Sequence, residues 1–161
     1  MSTTTEGYDI FGRKIHVDPI KTIERRGAYA LVLQKDQILL MTTKSTGLLW
    51  FPGGKVEDGE DALQAARREV QEEAGLRIGS GENFDRNEYY FLYNPSGKVY
   101  HCRNEFHLFR VTNQKIPVGH VTNDREAKHP HWELFVSLGP EKFHPVAWPV
   151  IQHLQQELST T

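Results

Sequence analysis

Residues 61–74 limit the possible folds more than any other part of this chain. Leu63, Ala66, Val70 and Ala74 recur at helical spacing and predict one apolar stripe along an α-helix. Gly75 follows, where a left-handed residue ends a helix without steric cost. Asp58 and Glu60 stand just before the helix, where its positive dipole end favours acids. A helix with a single apolar stripe must bury it against another layer of structure.

The flanking sequence supplies that layer as strands. Residues 8–17 carry β-formers around Gly12-Arg13 and predict a short hairpin, with Pro19 as a breaker. Residues 28–34 and 37–43 are apolar, β-prone runs parted by Lys35-Asp36. Residues 46–49 read as a loop, and Trp50-Phe51 leads into Pro52-Gly53-Gly54, a strong turn signal. Residues 88–93 and 99–111 read as strands joined around Asn94-Pro95-Ser96-Gly97. A polar loop over 117–130 precedes a strand over 131–137. Pro149 opens a last helix with Val150, Ile151, Leu154 and Leu158 on its inner face. Strands, a helix, more strands and a helix predict an α/β fold, a mixed sheet with helices packed on its faces. The 161 residues show no repeat and no break in composition, so one domain over 1–161 is expected, with 1–7 a loose tail.

Composition narrows the function. The net charge of -2 gives no basic surface for nucleic acid or an anionic membrane. No apolar run approaches a membrane span, and residues 1–10 lack the apolar core of a signal peptide. The one cysteine, Cys102, cannot form an internal disulfide and reads as a structural thiol. A cytoplasmic protein is expected. Eight histidines include no helical His-x3-His pair, so zinc is not expected.

The chemistry lies on the first helix. Glu69, Glu72 and Glu73 stand at i, i+3 and i+4 and are expected to share a face apart from the apolar stripe. Such crowding costs about a few tenths of a kcal/mol per pair on a bare helix. Taken alone, Glu72-Glu73 is more often a solvated acidic face than a site. A hard divalent cation reverses the balance, because Mg²⁺ is held by a few carboxylates together with substrate phosphates. It neutralises phosphate charge and lowers the pKa of an attacking water. Gly53-Gly54 lets the backbone turn and approach a metal or phosphate. Arg68 suits a fork-shaped pair with Glu60 that braces loop against helix, with phosphate contact as the other option.

The full string resembles the Nudix box of the MutT-like hydrolases, G-x5-E-x7-R-E-U-x-E-E-x-G-U with U aliphatic. Gly54, Glu60, Arg68, Glu69, Val70, Glu72, Glu73, Gly75 and Leu76 fill every specified position. A chance match in a chain of this length is on the order of one in ten million. The resemblance implies an α/β/α sandwich around a mixed sheet, with the box as loop–helix–loop. It implies a Mg²⁺-dependent pyrophosphohydrolase, with Mn²⁺ as a substitute metal. The substrate would be a small nucleoside diphosphate derivative: a nucleotide sugar, a dinucleoside polyphosphate or a nucleoside triphosphate. Water would attack phosphorus. The alternative from another class is a catalytically silent nucleotide-binding sensor on the same scaffold, which the intact box disfavours. Chains of this size in the family are often homodimers.

Residue by residue, the resemblance implies Glu69, Glu72 and Glu73 as metal ligands, with a backbone carbonyl at Gly53 or Gly54. Glu60 and Arg68 complete the box. The general base is either Glu69 or an acid of the distal loop, where Glu126 is preferred to Asp124. Trp50 is a candidate to stack on a base, and Gly54 to approach the substrate. Arg25, Arg26 and Lys44 flank the first central strands and are candidates for phosphate contact. Tyr89, Tyr90, Phe91 and Tyr93 read as sheet packing.

Overall fold

A computed structural model of the protein describes residues 3–120 and 129–160. Strands β1 (Thr5–Asp9) and β2 (Lys14–Val17) form a hairpin, and β3 (Ile23–Gln34) and β4 (Gln37–Thr42) follow. Two short strands, β5 (Leu49–Trp50) and β6 (Gly53–Lys55), lead to helix α1 (Ala62–Ala74). Then come β7 (Glu82–Tyr93), β8 (Lys98–Arg110), β9 (His129–Leu134) and helix α2 (Trp148–Ser159).

The strands make one mixed sheet in the order β2-β1-β7-β8-β3-β4-β5. Its centre is the parallel pair of β3 and β8, in register from Ile23 opposite Tyr100 to Leu33 opposite Arg110. Both faces of β3 are covered, so its apolar run is continuous rather than alternating. Ala28, Ala30 and Val32 pack with Ala66, Val70 and Ala74 of α1. Tyr29, Leu31 and Leu33 pack with Val150, Ile151 and Leu154 of α2. The result is the expected α/β/α sandwich. No helix among the described residues is long and apolar enough to cross a membrane.

The strand β3 has two partners on one edge. Its C-terminal end pairs with β4, Leu33 opposite Ile38, while its middle pairs with β6, Ala28 opposite Gly54. The two partners diverge there, and the box enters at the split.

Several local readings change. The tail is shorter than residues 1–7, because Thr5 already pairs with Val17. Gly53–Lys55 is a strand as well as a turn, because only glycine fits its contact with β3: a Cβ on Gly53, at φ +154°, would collide with the Ala28 carbonyl. The strand expected over 88–93 begins at Glu82, with an irregularity between Asn83 and Asp85. The strand expected over 131–137 is β9, which ends at Leu134, and Phe135–Ser137 turns as a 3₁₀ segment.

Candidate active site

Helix α1 is fixed firmly at both ends. The Asp61 side chain accepts from the Gln64 amide and the Gln64 side chain accepts from the Asp61 amide, each at 2.8 Å. Such a reciprocal cap is worth about 1 kcal/mol. Gly75 closes the helix at φ 72°, its amide bonded to the Gln71 carbonyl. The caps set where the helix begins and ends, and the packing of Ala66, Val70 and Ala74 on β3 sets its rotation and with it the direction of each glutamate.

The three glutamates do not share one environment, although their spacing predicts one face. Glu72 is exposed, with 59% of its side chain open, while Glu69 keeps 15%. Glu73 turns inward beside Ala74 and is only 3% exposed. The turn of helix is steeper than a flat stripe suggests, because i+4 overshoots i by about 40°. A Cβ on Gly54 would stand 2.7 Å from Glu69 Oε1, so the missing side chain is what lets the carboxylate reach the strand. A Cβ there would fill that space.

Arg68 is the hub. Its Nε donates to Glu60 Oε2 at 3.1 Å and its Nη2 to Glu60 Oε1 at 2.8 Å, the two-pronged geometry that a guanidinium prefers. Nη2 also donates to the Lys55 carbonyl. Nη1 donates to Glu69 at 3.0 Å and to Glu72 at 3.2 Å. Glu60 in turn accepts from the Glu57 amide. The Arg68 hydrogen bond, then the Glu57 amide, holds the Glu60 carboxyl below its usual range, and Glu60 raises Arg68 above its own. The loop before α1 is therefore tied to the helix through one cation.

Among the described residues, no three carboxylate, imidazole or thiolate groups converge at ligand spacing. Glu69 and Glu72 point instead to the Arg68 guanidinium. The donor set still fits a hard cation: it consists of carboxylate oxygens, one of them buried, beside the glycine-only strand at Gly53-Gly54.

On the other side of the sheet lies a cavity of about 340 Å³. Arg25, Tyr29, Trp50, Tyr89, Cys102 and His144 are among the residues that line it. Trp50 meets Tyr29 and His144 edge-on, at 5.6 and 5.9 Å between ring centres. His144 is held by both ring nitrogens, with Nε2 donating to the Asp9 carbonyl and Nδ1 accepting from the Val146 amide. Burial pushes the Cys102 thiol up, which keeps it protonated and poorly nucleophilic.

Trp50 and Gly54 thus border the cavity and the box respectively. Arg26 faces the α1 side and pairs with Glu105 at 3.1 Å. Lys44 is exposed in the turn after β4 and does not line the cavity. Tyr89, Phe91 and Tyr93 line it while also packing on the sheet, where Tyr89 meets Phe91 edge-on, and Tyr90 stacks on His101 on the opposite face. Asp124 and Glu126 lie outside the described residues. Sequence reading gave Tyr29 no role in a site. Its signal was the alternation of β3, which places it on the same face as Arg25.

Comparison with known proteins supplies the remaining facts. A family model described as the NUDIX domain matches residues 23–154. The 8-oxo-dGTP diphosphatase of Escherichia coli is 34% identical over 108 residues, 67% of this chain and 74% of that protein. A relative from Bacillus subtilis is 43% identical over 51 residues, so the chain spans about a third of it, 34%. In structure, a MutT NUDIX hydrolase from Burkholderia pseudomallei gives a TM-score of 0.64 at 19% identity, over 81% of this chain and 98% of that one. A MutT protein from Methanosarcina mazei gives 0.63 at 15% identity, over 85% and 96%. These two likenesses concern the fold.

Proposed function

The chain belongs to the Nudix hydrolase family, and from that premise we propose that it cleaves a phosphoanhydride bond of a nucleoside triphosphate, releasing a nucleoside monophosphate and pyrophosphate. Members of the family work with a divalent metal, and Mg²⁺ is the ion that this donor set suits. Glu69, Glu72 and Glu73 would hold it, with the carbonyl of Gly53 or Gly54. When bound, such an ion neutralises phosphate charge and makes water a better nucleophile.

The chain's own residues do the rest. Glu69 takes the proton from the attacking water. The water oxygen bonds to phosphorus, and the leaving group, pyrophosphate for attack at the α-phosphorus or the monophosphate for attack at the β-phosphorus, departs with the electron pair of the broken P–O bond. Arg68 keeps the box loop against α1, so that the carboxylates are oriented before substrate arrives. The base enters the aromatic cavity, with Trp50 as a stacking surface.

One observation carries this reading: the Glu69 carboxylate pressed on Gly54, one residue along from Gly53, the register partner of the cavity residue Tyr29. Acid cluster and aromatic cavity are thereby joined through the β3–β6 pairing. The E. coli relative's named substrate, a nucleoside triphosphate, favours that class over nucleotide sugars and dinucleoside polyphosphates. Incubation of a substrate panel with Mg²⁺ in ¹⁸O-labelled water tests it. The expected result is monophosphate release from triphosphates, with label in one product. Absence of any product with Mg²⁺ or Mn²⁺ would overturn it.

A further inference from the structure

Arg25 is a half-buried cation without a counter-ion. Among the described residues no carboxylate lies within 4.0 Å of it; its Nη1 donates to the Tyr29 hydroxyl at 3.3 Å, and its other contact is the neutral Cys102 thiol. Two neighbouring arginines do have carboxylates: Arg26 pairs with Glu105, and Arg103 lies near Glu24 and Glu88. Nor does the Arg25 guanidinium sit over a ring, as Arg13 does over Phe11. A charge moved out of water with no partner is costly, and one that persists at a cavity wall has the mark of a ligand contact.

Its place decides what it contacts. Strand alternation puts Arg25 and Tyr29 on the α2 face, and Arg26 and Ala28 on the α1 face with Gly54 and Glu69. Arg25 is therefore on the cavity side of the sheet, and the acids proposed to hold the metal are on the other. Among the described residues that line it, the cavity has no carboxylate and no Asn or Gln amide, and both nitrogens of His144 are already engaged. Arg25 is the one charged group among those described residues, and a guanidinium only donates. A base that satisfies it must present acceptors.

We infer that Arg25 reads the base edge, so that the cavity selects a base with two adjacent acceptors, guanine through O6 and N7, over adenine. This rests on the cavity being the base site of the proposed reaction. A guanidinium fork matches O6 and N7 bidentately, whereas adenine offers N7 beside an N6 donor. Guanine oxidised at C8 carries a proton on N7, so it keeps one of the two acceptors and falls between them.

Titration calorimetry with deoxyguanosine and deoxyadenosine, without metal, isolates base recognition from phosphate binding and from turnover. Deoxyguanosine should bind about tenfold tighter, the discrimination of one bidentate pair. Arg25→Met should reduce that ratio to about twofold or less, and Arg25→Lys, which keeps charge but not the fork, should restore only part of it. Because the native cation has no carboxylate partner among the described residues, Arg25→Met should melt no lower than the parent, which separates lost recognition from lost folding. Equal binding of the two nucleosides by the parent, no binding of either, or the same loss for both in Arg25→Met overturns the inference. A guanine preference in a protein that hydrolyses no triphosphate upholds it while refuting the proposed reaction. Equal hydrolysis of all bases does the reverse.

Discussion

The two faces of the sheet solve opposite problems. On the α1 side, a cation is more than matched: four glutamates, 57, 60, 69 and 72, lie within 4.0 Å of the one guanidinium of Arg68, an excess of acid that a divalent ion would offset. On the α2 side, aromatic rings enclose space and leave one guanidinium, Arg25, with no carboxylate among the described residues. Matched charge fixes a geometry in advance of substrate, while an unmatched charge waits for a partner. A phosphate chain varies little between nucleotides, so the first arrangement suits it, and the second suits the part that varies.

The sharpest way to break this division is to neutralise the acids. Glu69→Gln and Glu73→Gln each keep shape and remove charge. Each should lower kcat about a hundredfold or more, at about 1.4 kcal/mol per factor of ten. Nucleoside binding without metal should stay unchanged, because it uses the other face. A hundredfold loss in both assays would merge the two faces into one site. Full activity in both variants would remove the metal assignment.

Next in size is Trp50→Ala. A base stacked on an aromatic ring gains about 1–3 kcal/mol, so KM for a triphosphate should rise about tenfold or more. The turnover number should change little, since Trp50 is not among the acids. Steady-state kinetics on one substrate separate the two constants. A fall in kcat with KM unchanged would make Trp50 a hinge beside the box turn instead of a stacking surface.

The two faces were also unequally legible. Helix α1 could be read because its information is local: the stripe, the terminal glycine and the box all lie within one stretch of chain. Even so, spacing alone could not show that Glu73 turns inward while Glu72 stays in water, since that depends on how the capped helix is rotated on the sheet. The cavity is assembled from β3, β5, β7, β8 and the segment before α2. Tyr89 meets Cys102 only through the register of β7 on β8, and Arg25 meets Cys102 only through that of β3 on β8. No local pattern records such pairings. Gly53–Lys55 hid as a strand because glycines signal turns, and the polar start of β7 hid because its apolar alternation is weak.

A smaller effect tests the matching itself. Double-mutant analysis of Arg68 and Glu60 should give a coupling of about 1 kcal/mol, modest because the pair is partly open to solvent. Thermal melts of Arg68→Ala, Glu60→Ala and the double variant measure it. Zero coupling would mean that the loop is held by the Lys55 and Glu57 backbone contacts alone.

The smallest effect compares one histidine from each face. On the α1 face His101 lies between Glu24 and Glu88, at 2.7 and 2.6 Å. Burial lowers its pKa, but the two carboxylates outweigh this and raise it above 6.5. His144, at the cavity, is pushed below 6.5 by burial, which the Asp9 carbonyl only partly offsets. The signs then follow from linkage. A raised histidine binds its proton more tightly when folded, so His101 contributes stability below about pH 6.5, lost as pH rises through its folded pKa. A depressed histidine binds it less tightly when folded, so His144 contributes above about pH 6.5, and this is lost as pH falls through its folded pKa. Melting curves at pH 5.5 and 8.5 should show His101→Gln losing more, relative to the parent, at the acid pH, and His144→Gln losing more at the alkaline one. The expected differences are about a few degrees or less, in opposite directions. If both variants lose most at the same pH, the charged and aromatic faces do not differ in the way their side chains require.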